Sequence, residues 1–172
     1  MKFLLKFLIV ILFINFHTNL YAEVSIRYVN LDSIFINSNI GKKINKKITE
    51  DKKSKIDQLR SIEKDLTNKK NKILSKQNVL EKKQFEAEVI SHQENVKKYE
   101  LKKSKEIKEL NIRNNKIVQN FMKKVDQIMK QYAKDNSIDL ILKQDILIVS
   151  NTNLDITKNI IDEVNKQIKK ID

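Results

Sequence analysis

FEAEVISHQENVKKYELKKSKEIKELNIRNNKIVQNFMKKVDQIMKQY, residues 85–132, repeats its apolar positions every eleven residues. Phe85, Val96, Ile107, Val118 and Met129 form one series, and Tyr99, Leu110, Phe121 and Tyr132 form a second. Eleven residues over three helical turns is about 3.67 per turn, so such positions hold a nearly straight line along an α-helix. A β-strand, with its period of two, cannot use that interval. Toward the N-terminus, Ile48 and Leu59, then Ile62 and Ile73, keep the same beat, and Ile40, Ile44, Ile56 and Leu66 fill the face. Residues 41–136 contain no proline and one glycine, Gly41 at the head. The pattern predicts a very long helical element with one apolar stripe and solvated, lysine-rich faces.

A single helix over that stretch would be about 140 Å long. A stripe of such length needs a partner, and the nearest is the chain itself. The phase slips near Val79, Leu80 and Phe85, beside Asn78, which predicts a reversal near 78–84 and an antiparallel helical hairpin.

The remaining composition narrows the class. The chain has 172 residues, 33% of them charged, with 35 Lys and Arg against 22 Asp and Glu. That is one domain's length and too polar for an integral membrane protein. There is no cysteine, hence neither disulfide nor thiolate chemistry.

Residues 1–22 have the form of a cleaved secretory signal: Lys2 and Lys6, an apolar run from Phe7 to Phe16, and Leu20-Tyr21-Ala22 at the end. The run is shorter than the roughly 20 residues that span a bilayer. Next, Val24, Ile26 and Tyr28 alternate with Ser25 and Arg27, as in a half-buried strand. Leu31, Ile34 and Phe35 suit a short helix, and Asn37-Ser38-Asn39 a cap before the long one. After Asn136 the period changes again. Ile138, Leu140 and Leu142 alternate with Asp139 and Ile141, and Ile146-Leu147-Ile148-Val149 runs without a break. Lys143-Gln144-Asp145 between them predicts a tight β-hairpin. Asp155 or Thr157 then caps a last helix with Ile160, Ile161, Val164 and Ile168 inward.

The charge is not spread evenly. Residues 41–84 hold fifteen basic and six acidic side chains, and 85–136 hold twelve and eight. The flanking pieces, 23–40 and 137–172, are each −1. The flanks together are expected to form a body of marginal stability on its own. A continuous run such as Ile146 to Val149 wants cover on both faces. The expected fold is therefore α+β and mostly α: a coiled-coil hairpin arm (41–136) projecting from a small β-rich oligomerisation body (23–40 and 137–172).

Three pieces together resemble the Skp/OmpH family of periplasmic chaperones. One is Ser25-Ile26-Arg27-Tyr28-Val29-Asn30-Leu31 followed by Gly41-Lys42-Lys43, with Asn30 where the family pattern has Asp. Another is the lysine-rich helical middle. The last is Ile138-Asp139-Leu140-Ile141-Leu142, then Leu154-Asp155-Ile156-Thr157 leading into the final helix. The resemblance implies a homotrimer with a β-rich body and three arms around a cavity. It also implies ATP-independent holding of unfolded outer-membrane proteins in the periplasm.

No enzyme is expected. His92 is the single histidine outside the signal, and no cysteine or ordered carboxylate spacing accompanies it to make a metal site. No Ser or Cys stands with a base, and Gly41-Lys42 lacks the other glycines of a phosphate loop, so no cofactor is expected. The arm lysines form a field that attracts acidic chains, and anionic lipid or lipopolysaccharide is a further expected partner. Nucleic acid is not expected, because the aromatics lie on the packing stripe instead of forming stacking platforms. The candidate client contacts are Val79, Leu80, Lys82, Lys83, Phe85, Val89 and Ile90 near the reversal. Candidate body contacts are Val24, Ile26, Tyr28, Ile138, Leu140, Leu142, Ile146, Leu147, Ile148 and Val149. A structural coiled-coil adaptor or spacer of the cell envelope is the competing reading.

Overall fold

The computed structural model describes residues 24–170, so the expected signal over 1–22 lies outside the described residues. Two helices dominate: α2 (Asn39–Ser75) and α3 (Lys82–Asp135), 37 and 54 residues. At 1.5 Å per residue they are about 55 Å and 80 Å long. They run antiparallel, and the ion pairs between them record the register. Asp51 meets Arg113 at 3.4 Å, Lys55 meets Glu106 at 3.2 Å, Glu63 meets Lys103 at 2.6 Å and Lys76 meets Glu88 at 2.9 Å. As the number on α2 rises, its partner on α3 falls.

The chain reverses over 76–81, between the end of α2 and the start of α3. Backbone bonds of 3.0 Å from the N–H groups of Val79 and Leu80 to the Lys76 carbonyl close the bend. None of its residues needs a positive φ, which explains how it forms without glycine or proline. By contrast α3 ends on Ser137, at φ 52°, with the Ile138 N–H reaching back to the Ala133 carbonyl at 2.9 Å. That is the left-handed termination in which the residue two past the helix satisfies a carbonyl inside it.

At the base, α1 (Leu31–Asn37) joins α2 through Ser38, which is fully buried. The Ser38 N–H donates to the Ile34 carbonyl at 3.1 Å, ending α1. Its Oγ accepts the Gly41 N–H at 3.2 Å, starting α2. One residue thus satisfies orphan groups of two helices. Gly41 permits the crossing, because a Cβ there would meet the Phe35 carbonyl oxygen at 1.9 Å.

β1 (Ile26–Val29) pairs in parallel with β2 (Leu140–Lys143), Ile26 opposite Leu140 and Val29 opposite Lys143. Tyr28 also bridges Asp155 on the other edge of β1, and the Ile156 N–H donates to the Tyr28 carbonyl at 3.0 Å. Parallel neighbours need a long crossover, and here the whole arm is that crossover. α4 (Thr157–Gln167) then lays Ile160, Val164 and the following Ile168 onto α1, α2 and α3. Val29, Ile34, Ile40, Ile44, Phe121, Val125 and Ile128 complete this core. Phe35 meets Phe121 edge to face at 5.6 Å between ring centres.

The expected β-hairpin after Asn136 is absent. β2 stops at Lys143, a 3-10 turn takes Gln144–Ile146, and Leu147, Ile148 and Val149 are not in a strand. The turn itself is the reason: the Leu147 N–H folds back to the Gln144 carbonyl at 3.1 Å in a 3-10 helix, which carries the run Ile146–Val149 away from the outer edge of β2.

Candidate functional site

Packing along the arm thins steadily from base to tip. Near the base, Phe121 and Val125 are completely buried. Further out Leu110 and Asn114 are buried, and the Asn114 Oδ1 has no hydrogen-bond partner. Further still, Tyr99 of α3 packs on Leu59 of α2, both buried. Beyond that level, between 60 and 98, every side chain is half-buried or exposed.

A polar clasp marks the change. The Tyr99 hydroxyl lies 2.9 Å from a Glu63 carboxylate oxygen and 3.1 Å from the Leu59 carbonyl, sharing one proton between them. Lys103 donates to the same Glu63 oxygen at 2.6 Å and stands 5.8 Å from the Tyr99 ring centre, within cation–π reach. The Lys103 hydrogen bond, with help from Tyr99, holds the Glu63 carboxyl below its ordinary value. Its counterpart, the Glu63 hydrogen bond, raises the Lys103 ammonium. Desolvation, reinforced by Glu63, raises the Tyr99 phenol.

Outboard of the clasp the helices leave open space between them. One groove, of about 360 Å³, is lined by Lys70, Ile73 and Leu74 of α2 and Val89, His92, Gln93 and Val96 of α3. On the opposite side of the same helix pair is a second hollow, of about 510 Å³. Lys69, Lys72 and Lys76 face Glu88, Ser91, His92 and Asn95 across it.

The expected tip contacts do not form one cluster. Val89 lines the apolar groove, whereas Ile90 is turned away and 57% exposed. Val79 sits in the bend, 82% exposed. Leu80 and Phe85 are half-buried beside it, and Lys82 and Lys83 are exposed on the first turn of α3. The groove brings in Lys70, Leu74, His92 and Gln93, which sequence reasoning did not select. The antiparallel register would have found them, since it sets Leu74 against the turn of α3 that carries Val89 and Gln93. Ile90 belongs instead to a row with Leu101 and Ile112, eleven residues apart and all more than half exposed.

The base carries a second apolar surface. Tyr28 is buried, and Ile138, Leu142 and Leu147 are half-buried. Val24, Ile26, Leu140, Ile146, Ile148 and Val149 are exposed, Ile148 completely. Asn30 ties this region together. Its Oδ1 accepts the Ser33 N–H at 2.6 Å, capping α1, and its Nδ2 donates to Gln144 Oε1 at 2.6 Å. An aspartate could make the first bond but not the second.

A long helical hairpin standing on a small strand-and-helix base is a defined architecture. It is similar to the crystal structure of a protein from Caulobacter crescentus CB15 assigned as an OmpH-like outer membrane chaperone. The likeness covers 88% of this chain and 89% of that one, with a TM-score of 0.79 and 14% sequence identity. The chain belongs to the OmpH-like family: the family profile described as outer membrane protein (OmpH-like) matches residues 25–164. No curated protein matches the chain in sequence.

Proposed function

We propose that this chain is an ATP-independent periplasmic holdase that keeps unfolded outer-membrane proteins from aggregating. The observation that carries the proposal is a charged arm whose packing thins toward its tip, in a member of the OmpH-like family. Beyond residues 1–22, all of the positive excess lies in residues 41–136. A positive field draws in acidic segments without demanding a sequence, and sparse packing leaves apolar surface to meet them. The assignment of the Caulobacter protein as an outer membrane chaperone supports this reading.

In this proposal residues 1–22 direct export and are removed. Residues 23–40 and 137–172 form a body that joins three copies through the apolar surface around Ile148. Several arms acting on one client give avidity from individually weak contacts. Release then comes from transfer to a stronger binder or a folding membrane, and the same lysines meet anionic lipid there. The test is dilution of a urea-denatured outer-membrane β-barrel protein into buffer with and without the purified chain, followed by turbidity. Suppression of aggregation without nucleotide is expected. Unchanged turbidity at molar excess of the chain, together with capture of one folded envelope partner, would point to the spacer instead.

A further inference from the structure

The groove between α2 and α3 beyond the Tyr99 clasp is a break in an otherwise continuous helix seam. From the base to Leu59 and Tyr99 the seam buries side chains; outboard of them it buries none. Ile73, Leu74, Val89 and Val96 line an open apolar hollow instead, and Leu74 is 48% exposed although it faces the partner helix. Its volume, about 360 Å³, falls within the range of sites that take small organic groups.

Resting on the holdase reading above, we propose that this groove seats an apolar side chain of an acidic, unfolded polypeptide segment, held between the two helices of a single arm. Charge selects the segment. Lys70 stands at the groove, while Lys69, Lys72 and Lys76 line the hollow behind it. Glu88, the one carboxylate lining either hollow among the described residues, pairs with Lys76 at 2.9 Å, which leaves Lys69, Lys70 and Lys72 as the unbalanced charges. The local field is positive and favours acidic neighbours in whatever enters. A second arm of this protein is a poor occupant, since residues 41–84 carry a net +9 and would meet their own charge. A bilayer is a poor occupant too, because a slot between two helices admits one side chain and not a flat surface. Of the row Ile90, Leu101 and Ile112 on the outside of α3, Ile112 lines a separate shallow hollow with Ile107 and Lys108, whereas Leu101 is 66% exposed and lines neither hollow between the helices.

The experiment uses the full chain and a urea-denatured outer-membrane β-barrel polypeptide, with affinity read by fluorescence anisotropy at fixed salt. Leu74→Glu places a charge in the groove at a half-exposed position, and circular dichroism verifies that the helices persist. Leu101→Glu places the same charge on the outside of α3, at a position 66% exposed. Leu74→Glu is expected to weaken binding about tenfold, the order of one lost apolar burial, and Leu101→Glu by less than about twofold, in keeping with an uncovered position. Equal weakening by both, or none by Leu74→Glu in a protein that binds, overturns the groove and leaves the holdase standing. If the unaltered chain binds no unfolded polypeptide, the holdase reading and its groove fall together. Independently, a benzophenone side chain at position 74 should cross-link to the polypeptide. Cross-linking to a second copy, or to added anionic vesicles in preference to the polypeptide, refutes the assigned occupant.

Discussion

A Cβ on Gly41 would stand 1.9 Å from the carbonyl oxygen of Phe35, so α1 can cross the start of α2 only where a side chain is missing. The one glycine of the chain is therefore a contact residue, placed by the closeness of two backbones. Both neighbours belong to the core: Ile40 is buried on α2, and Phe35 packs on Phe121.

Gly41→Ala should accordingly destabilise the protein by about 1–3 kcal/mol, as overpacking does when backbone has to move. Urea unfolding followed by circular dichroism measures it. Ser38→Ala, which removes only the hydroxyl that caps α2, should cost about 1 kcal/mol. A Gly41→Ala midpoint equal to the unaltered protein's would show that α1 does not lie against α2 in solution.

Asn114 gives a prediction of opposite sign. Its amide oxygen is buried in the arm seam without a donor, and an unsatisfied buried polar group costs about 1–3 kcal/mol. Asn114→Leu, which keeps the branch at Cγ and removes the polar atoms, should raise the unfolding midpoint. A lowered midpoint would mean that the amide has a partner in the assembled protein. Such lone amides in helix seams also fix register, so the variant should additionally show a broader range of arm pairings by spin-label distance measurement.

Ile148 is 100% exposed among the described residues. On the proposed joining of copies through this surface, light scattering should find an oligomer for the unaltered chain and a single chain for Ile148→Asp, with helical content unchanged. A single chain in both would remove the proposed assembly, and an oligomer in both would move the contact elsewhere. Since the body is small, separation should also lower the melting temperature and make it independent of concentration.

The clasp responds to pH in a direction set by its two charged members. Glu63 is depressed in the folded arm, so its contribution is present above its ordinary value of 4.5 and is lost as pH falls through the lower folded value. Lys103 is raised, so its contribution holds below its ordinary value of 10.5 and is lost as pH rises through the higher folded one. Protection factors of the amides around Leu59 and Tyr99, taken relative to the intrinsic exchange rate at each pH, should therefore fall under acid, while Glu63→Gln should lower them already at neutral pH and flatten the acid response. Identical acid dependence in Glu63→Gln would assign the effect to other carboxylates. The exposed position of the pair keeps the expected change small.

Some of this structure could be read before any coordinates. The eleven-residue series through Tyr99, Leu110 and Phe121 names three residues that are buried in the seam, because helical spacing alone fixes which face they share. Ile160 and Val164 follow from the same logic on α4. Long-range partners were not legible. Alternation at Ile138, Leu140 and Leu142 marks extended chain but says nothing of its neighbour, and the neighbour is β1, not the run at Ile146. Pairs within one helix follow from i,i+4 spacing alone, as at Lys46–Glu50 and Lys105–Glu109, 3.8 and 3.9 Å. The carboxylates that tie the arm together, Glu63 and Glu88, find lysines across the seam, and only the register says which. The groove at Leu74 is hidden for the same reason: it is a property of two helices, and either one alone reads as an ordinary amphipathic face.

The parallel pairing of β1 with β2 has a consequence in time. About 110 residues separate Val29 from Leu140, so a polypeptide delivered from its N-terminus holds one half of its foundation and waits for the other. Linking such distant segments is entropically slow unless something shortens the path, and zipping α2 onto α3 does that by returning the chain to its starting point. Completion of the rod thus precedes closure of the sheet, and the surface around Ile148 that we propose joins copies is finished only after it.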